Sequence, residues 1–130
     1  MALSPMTTTF TPQASGGAYG INAYGPGYIE VNGVRHDEAL ILHPEHGVTP
    51  LPQATVATIS TAHMEQVAAH TPEVVLVGTG ERQIFLAPQV LAPLQSARVG
   101  VECMSLAAAC RTFNLLAAEG RKTVAVLLFK

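Results

Sequence analysis

The chain has 130 residues, of which 48% are apolar and 12% charged, and a formal net charge of −2 at pH 7. That length is one domain with room for a real hydrophobic core, and the apolar fraction excludes a disordered chain. Seven Lys and Arg, scattered from Arg35 to Lys130, provide no cationic cluster for a phosphate backbone, so nucleic acid is excluded as a partner.

Trp is absent and aromatics are few, so Val, Leu, Ile and Ala must fill the core. Cys103 and Cys110 are too few for a disulfide framework and form no CxxC pair, which implies buried, reduced thiols in a cytoplasmic protein. No apolar run approaches the ~20 residues of a membrane span. The N-terminus lacks the basic start of a secretory signal, and the absence of Lys or Arg before Arg35 argues against a mitochondrial transit peptide. The expected location is the cytoplasm.

Residues 1–20 contain no charged side chain and are rich in Thr, Pro, Ser and Gly. They read as a flexible tail with one extended pairing segment at Thr7 to Thr11, leaving residues 21–130 as the globular domain. The stretch "YIEVNGVRHDEALILHP" reads as a hairpin: Tyr28 to Val31 alternate, Asn32-Gly33 is a strong turn signal, and the second strand runs into "ALILH". "PEHGVTPLPQ" reads as a loop from its Pro and Gly content. A helix is expected from Thr61 to His70, with Met64, Val67 and Ala68 on one face. "VVLVG", Val74 to Gly78, is a continuous apolar run of the kind buried in a parallel sheet. Pro88 opens a helix ending near Gln95 or Ser96, and a strand follows over Arg98 to Glu102. A helix from Ser105 to Glu119 and a last strand "TVAVLLF" close the chain.

The fold class is therefore α/β, or α+β on a strict definition. A single three-layer domain is expected, with a mixed sheet, an N-terminal antiparallel hairpin and a C-terminal β-α-β-α-β parallel segment. At 100° per residue, Leu106, Ala109, Cys110, Phe113, Leu116 and Ala117 fall in one sector of roughly 120° that faces the sheet. Arg111 and Asn114 share one flank. The outer side, around Ala108 and Leu115, is nearly free of charge and suits contact with another layer or subunit, a homodimer included.

Among motifs, "VVLVGTGERQIF" imitates the opening of a dinucleotide-binding unit: a strand enters Gly78-Thr79-Gly80, and Glu102 stands where a ribose-binding acid is expected. Gln83 occupies the place of the third glycine, and the helix starts only near Pro88, away from the glycines. "HPEH" groups His43, Glu45 and His46 without an identifiable third ligand, and His63 and His70 stand roughly 10 Å apart on a helix, so no metal site is expected. Ser60, Ser96 and Ser105 lack a nucleophile elbow, and Cys110 falls on the core face, so no catalytic residue is assigned. Arg111 and Asn114 suit a carboxylate or phosphate, or a protein partner. Glu119 and Arg121 bracket Gly120, a helix-ending glycine whose neighbours Arg121 and Lys122 complement the helix dipole.

The run "VECMSLAAACRTFNLLAAEGRKTVAVLLF", with "VVLVGTG" and "GYIEVNG" upstream, resembles a family of small α/β domains. Its members include a mitochondrial assembly factor of respiratory complex I, an adipogenesis-associated human protein and many uncharacterised bacterial proteins. The resemblance covers residues 20 to 130 and is most specific over Ala108 to Asn114 and Glu119 to Arg121. It implies a compact three-layer domain without an established activity. Relatives often carry a Trp after the second strand, where this chain reads "TPLPQATV".

Together these observations imply a non-enzymatic protein-binding or assembly-factor-like module without a cofactor, whose partner-contacting residues include Gly78, Thr79, Gly80, Arg111, Asn114, Glu119 and Arg121. The alternative is a small-molecule or nucleotide-binding protein, or an enzyme, that uses the Gly-Thr-Gly loop with Arg111.

Overall fold

The computed structural model describes residues 8–9 and 19–130; the expected flexible tail at residues 1–7 and 10–18 lies outside them. Strands β1 (Thr8–Thr9), β2 (Ile21–Gly25), β3 (Tyr28–Val31) and β4 (Val34–His36) form an antiparallel sheet in chain order. Strands β5 (Leu40–His43), β6 (Gly47–Pro50), β7 (Val74–Thr79), β8 (Gly100–Met104) and β9 (Thr123–Leu128) form a second sheet in the order β6-β5-β9-β7-β8. Helices α1 (Thr61–Ala68), α2 (Pro88–Ser96) and α3 (Leu106–Ala118) complete the described elements.

Three layers result because the central strands bury both faces. Along β9, Val124, Val126 and Leu128 point into a core with α1 and α2, through Met64, Val67, Leu91 and Leu94. Ala125 and Leu127 point the other way, into a core with Phe113 and Cys110 of α3 and Ile21 and Ile29 of the antiparallel sheet. The continuous apolar reading of "VVLVG" and "TVAVLLF" thus matches strands covered on both sides, β9 being buried over its whole length. Strand β7 pairs in parallel with β8 and β9, while β5 pairs antiparallel to β9, so the second sheet is mixed.

Three boundaries differ from the sequence reading. The hairpin turns at Asn32-Gly33, both with positive φ, but its second strand is Val34–His36; after His36 the chain crosses to the other sheet, and "LILH" becomes β5. The expected hairpin therefore builds a sheet of its own with β2, and β5 supplies the antiparallel strand of the mixed sheet. The "PEHGVTPLPQ" stretch contains β6, an edge strand where Pro50 needs no ladder donor. Arg98 lies in a turn with φ 58°, and the strand after it starts at Gly100.

Candidate functional site

The Gly-Thr-Gly turn stands at the carboxyl end of β7, beside the end of β8. The two connections leave this edge for opposite layers, β7 to α2 and β8 to α3, which is the arrangement that opens a ligand crevice in α/β sheets. Here the crevice is closed by the chain itself. A Cβ at Gly78 would stand 3.1 Å from Ala109 Cβ and from Leu127 Cδ2, and 3.3 Å from Leu106 Cα, so this glycine admits helix α3 against the strand. The Gly80 carbonyl accepts the Leu106 N–H at 2.7 Å, spending on the turn a donor near the start of α3. Thr79, 2% exposed, donates its hydroxyl to the Arg82 carbonyl and accepts the Ile84 N–H at 2.9 Å; Met104 O lies 3.1 Å away. Gln83, in the third-glycine position, reaches across to the Cys103 carbonyl at 2.8 Å. Glu102 is exposed and lies level with Leu76, short of the strand end.

These bonds pin the β7–α2 connection as a fixed loop. Leu86 tucks into the core at 6% exposure, while Ile84 (40%) and Phe85 (77%) stand in solvent. On the outer side of α3, Leu115 is 59% exposed beside exposed Arg111 and Ala118, while Ala108 is half-buried.

The flank of α3 that carries Arg111 and Asn114 is occupied by the protein's own strand β2. Asn114 Oδ1 accepts the Ile21 N–H at 3.0 Å and its Nδ2 donates to the Ile21 carbonyl at 2.7 Å. The carboxamide thus imitates a neighbouring strand at the edge of β2. One turn earlier, Arg111 Nη1 donates to Tyr24 Oη at 2.8 Å. Spacing of three on the helix meets spacing of three on the strand. Cys110 beside them is fully buried, and burial pushes its thiol up to about 12, with Arg111 pulling weakly the other way. It is a protonated core thiol, unsuited to nucleophilic chemistry.

Glu119 and Arg121 lie at the other end of the sheet. Glu119 is the C-cap of α3, Gly120 takes φ 75°, and the Gly120 and Arg121 N–H groups bond the Ala117 and Leu116 carbonyls, a Schellman ending. Arg121 is thus separated from the Gly-Thr-Gly turn by the length of β9, about 17 Å. The structure therefore divides the sequence-designated residues among three places: a filled turn, a helix-to-strand clamp, and a helix ending.

At that helix ending lies a cavity of about 190 Å³, lined by His43, His46, His70, Arg121, Lys122 and Thr123 among others. Sequence reasoning did not join His70 to His43 and His46. The topology does: β5 runs antiparallel to β7 and β9, so the end of β5 meets the segments that precede β7 and β9. Ring centroids are 4.3 Å apart for His43 and His46, 4.9 Å for His43 and His70, and 5.9 Å for His46 and His70. One nitrogen from each lies within 4.8 Å of the others. The missing third imidazole, the reason for expecting no metal, is therefore present. The remaining objection is chemical. His43 Nδ1 accepts the Glu45 and His46 N–H groups at 3.0 and 3.1 Å, which places the proton of the neutral ring on Nε2 and leaves no lone pair free for an ion. His63 stands apart as a helix cap, its Nδ1 accepting the Ser60 N–H at 3.0 Å.

The family described as "Protein of unknown function (DUF498/DUF598)" matches residues 21–128. A curated relative, the "13 kDa major membrane protein" of Francisella tularensis subsp. holarctica, is 30% identical over 73 residues, 56% of this chain and 59% of that protein. The human "NADH dehydrogenase [ubiquinone] 1 alpha subcomplex assembly factor 3" is 45% identical over 56 residues, 43% of this chain and 30% of that protein. The chain thus spans less than two thirds of the length of either relative. A Bordetella parapertussis protein of solved crystal structure is 46% identical with a TM-score of 0.80, covering 86% of this chain and 96% of that one. Among the described residues, no helix is long and apolar enough to cross a membrane.

Proposed function

We propose, from the premise that the chain belongs to the family of unknown function described as DUF498/DUF598, that it is a non-enzymatic protein-binding module of assembly-factor type acting in the cytoplasm. The observation that carries this reading is Phe85, 77% exposed on a loop whose backbone is pinned by Thr79 and Gln83. Burying a Phe side chain is worth about 2 kcal/mol, which the isolated chain forgoes here. Aromatic anchors dominate protein interfaces, and a loop held rigid before binding loses less conformational freedom on contact. Ile84 widens the apolar patch, and Leu115 gives α3 an outward apolar contact of its own.

The assembly-factor relatives support this class of role and supply a first set of candidate partners, the subunits of a respiratory NADH dehydrogenase. The rival reading, a nucleotide held by the Gly-Thr-Gly loop with Arg111, has less support because that turn is filled by Leu106 and Ala109 and Arg111 is engaged with Tyr24. Affinity capture from a native bacterial extract tests the proposal. The wild-type chain is expected to retain NADH dehydrogenase subunits that Phe85→Ser loses, while the circular dichroism spectrum stays unchanged. Equal capture by wild type, Phe85→Ser and Leu115→Ser, or a thermal shift with nucleotide in the absence of any captured subunit, would overturn it.

A further inference from the structure

We infer that the cavity between the β5–β6 turn and the start of β9 binds a small oxyanion, a phosphate or carboxylate group borne by a compact ligand. This site lies at the opposite end of the sheet from the Phe85 loop and does not depend on the reading given to that loop.

His43 is fixed by its own backbone: with Nδ1 accepting two N–H groups, Nε2 must carry the proton and can only donate. Among the described residues, no hydrogen bond holds the rings of His46 and His70, and each neutral ring carries one N–H of its own. Arg121 and Lys122 are two cationic residues of the lining, against one acidic residue, Glu45. Glu73 stands just outside the lining, its Oε1 accepting the Lys122 N–H at 3.2 Å. The C-terminal end of α3 stands nearby, where the Schellman bonds engage the Leu116 and Ala117 carbonyls.

The second observation is an orphan. Thr123 is 1% exposed, lines the cavity, and its Oγ1 is buried with no hydrogen-bond partner among the described residues. A buried hydroxyl left unpaired is destabilising, and this one sits in the central strand of an otherwise apolar layer. An acceptor in the cavity, met by a change of Thr123 rotamer, would satisfy it.

A metal ion fits this lining less well. Three nitrogens on one tetrahedral zinc stand about 3.4 Å apart and all present lone pairs. Here the nitrogens lie within 4.8 Å of one another, His43 presents a proton, and two cationic residues share the lining. A volume of about 190 Å³ also exceeds what a bare ion needs, leaving space for an organic group beside the oxyanion.

Amide and imidazole resonances of the full chain, titrated in a zwitterionic buffer with inorganic phosphate in one arm and citrate in the other, test the inference. Saturable shifts at His43, His70 and Arg121 to Thr123 are expected in at least one arm, and which arm responds identifies the phosphate or carboxylate source. Two variants separate binding from structure. His43→Asn keeps an acceptor oxygen for the turn amides and removes the Nε2 donor. Arg121→Gln removes a charge from an exposed side chain while leaving the backbone bonds of the helix ending available. Each is expected to weaken binding about tenfold or more, as loss of a hydrogen bond to a charged group does, without a change in melting temperature. The absence of saturation by either anion at tens of millimolar, or undiminished affinity in both variants, overturns the inference. So does micromolar binding of zinc chloride through all three imidazoles with no response to either anion.

Discussion

Asn114 shows how a single side chain can look like a ligand-binding group and serve as a piece of sheet. Its carboxamide has the donor and acceptor of a peptide unit, and both are used on the main chain of Ile21. Replacement by Ala leaves a partly buried N–H and carbonyl without partners, so Asn114→Ala is expected to lower the unfolding free energy by about 2 kcal/mol in urea denaturation. Asn114→Asp retains the acceptor but sets a carboxylate against the Ile21 carbonyl, and its loss is expected to be larger at pH 7 than that of the Ala variant. The helical angle placed Arg111 and Asn114 on one flank directly from sequence. What faces that flank was not legible, because "INAYG" lacks the β-branched alternation that identifies a strand. Strand β2 forms because its neighbours β1, β3 and α3 hold it, a tertiary cause that local pattern does not carry.

Among the elements, α3 is fixed at both ends by glycines of different kinds, and the two make opposite demands. Gly78 lies under the helix, where an added methyl meets two side chains at 3.1 Å and the Leu106 Cα at 3.3 Å. Gly120 faces open space but needs φ 75° for the Schellman ending. Gly78→Ala is expected to cost about 1–3 kcal/mol through overpacking, and Gly120→Ala about 1 kcal/mol through backbone strain. Hydrogen exchange distinguishes the causes: protection falls at the amides of Leu106 to Cys110 in the first variant and at Glu119 to Arg121 in the second. The same contrast explains what was readable at this scale. Gly120 ends a periodic helix, a signal that the local sequence carries by itself. Gly78 belongs to a phosphate-loop imitation, because glycine required by a close helix and glycine required by a phosphate look identical in one sequence. Likewise "GVTP" reads as loop, since an edge strand in the second sheet is specified by β5 beside it rather than by its own residues.

The whole molecule adds a property that no segment has alone, the convergence of three histidines from the end of β5, the turn after it and the segment before β7. Their separation in the chain hides them from spacing rules, and only the antiparallel placement of β5 against β9 brings them together. Burial lowers the His43 pKa below its usual 6.5, with His46 and His70 adding repulsion and Glu45 opposing; burial and then His46 lower that of His70. In the unfolded chain both rings titrate near the ordinary value, so on acidification below about 6.5 the unfolded state takes up protons that the folded state refuses. This contribution to stability is complete above the unfolded pKa and is lost as pH falls through the lowered folded values. Chemical denaturation from pH 7.5 down to pH 5 in a buffer free of phosphate and citrate is therefore expected to show falling stability across that window. The double variant His43→Asn, His70→Gln removes both proton acceptors from the folded and unfolded chains alike, and its profile is expected to be flatter over the same range. Parallel profiles for the variant and the wild type would show instead that the two imidazoles carry no differential proton binding, and that the acid sensitivity belongs to other groups of the fold.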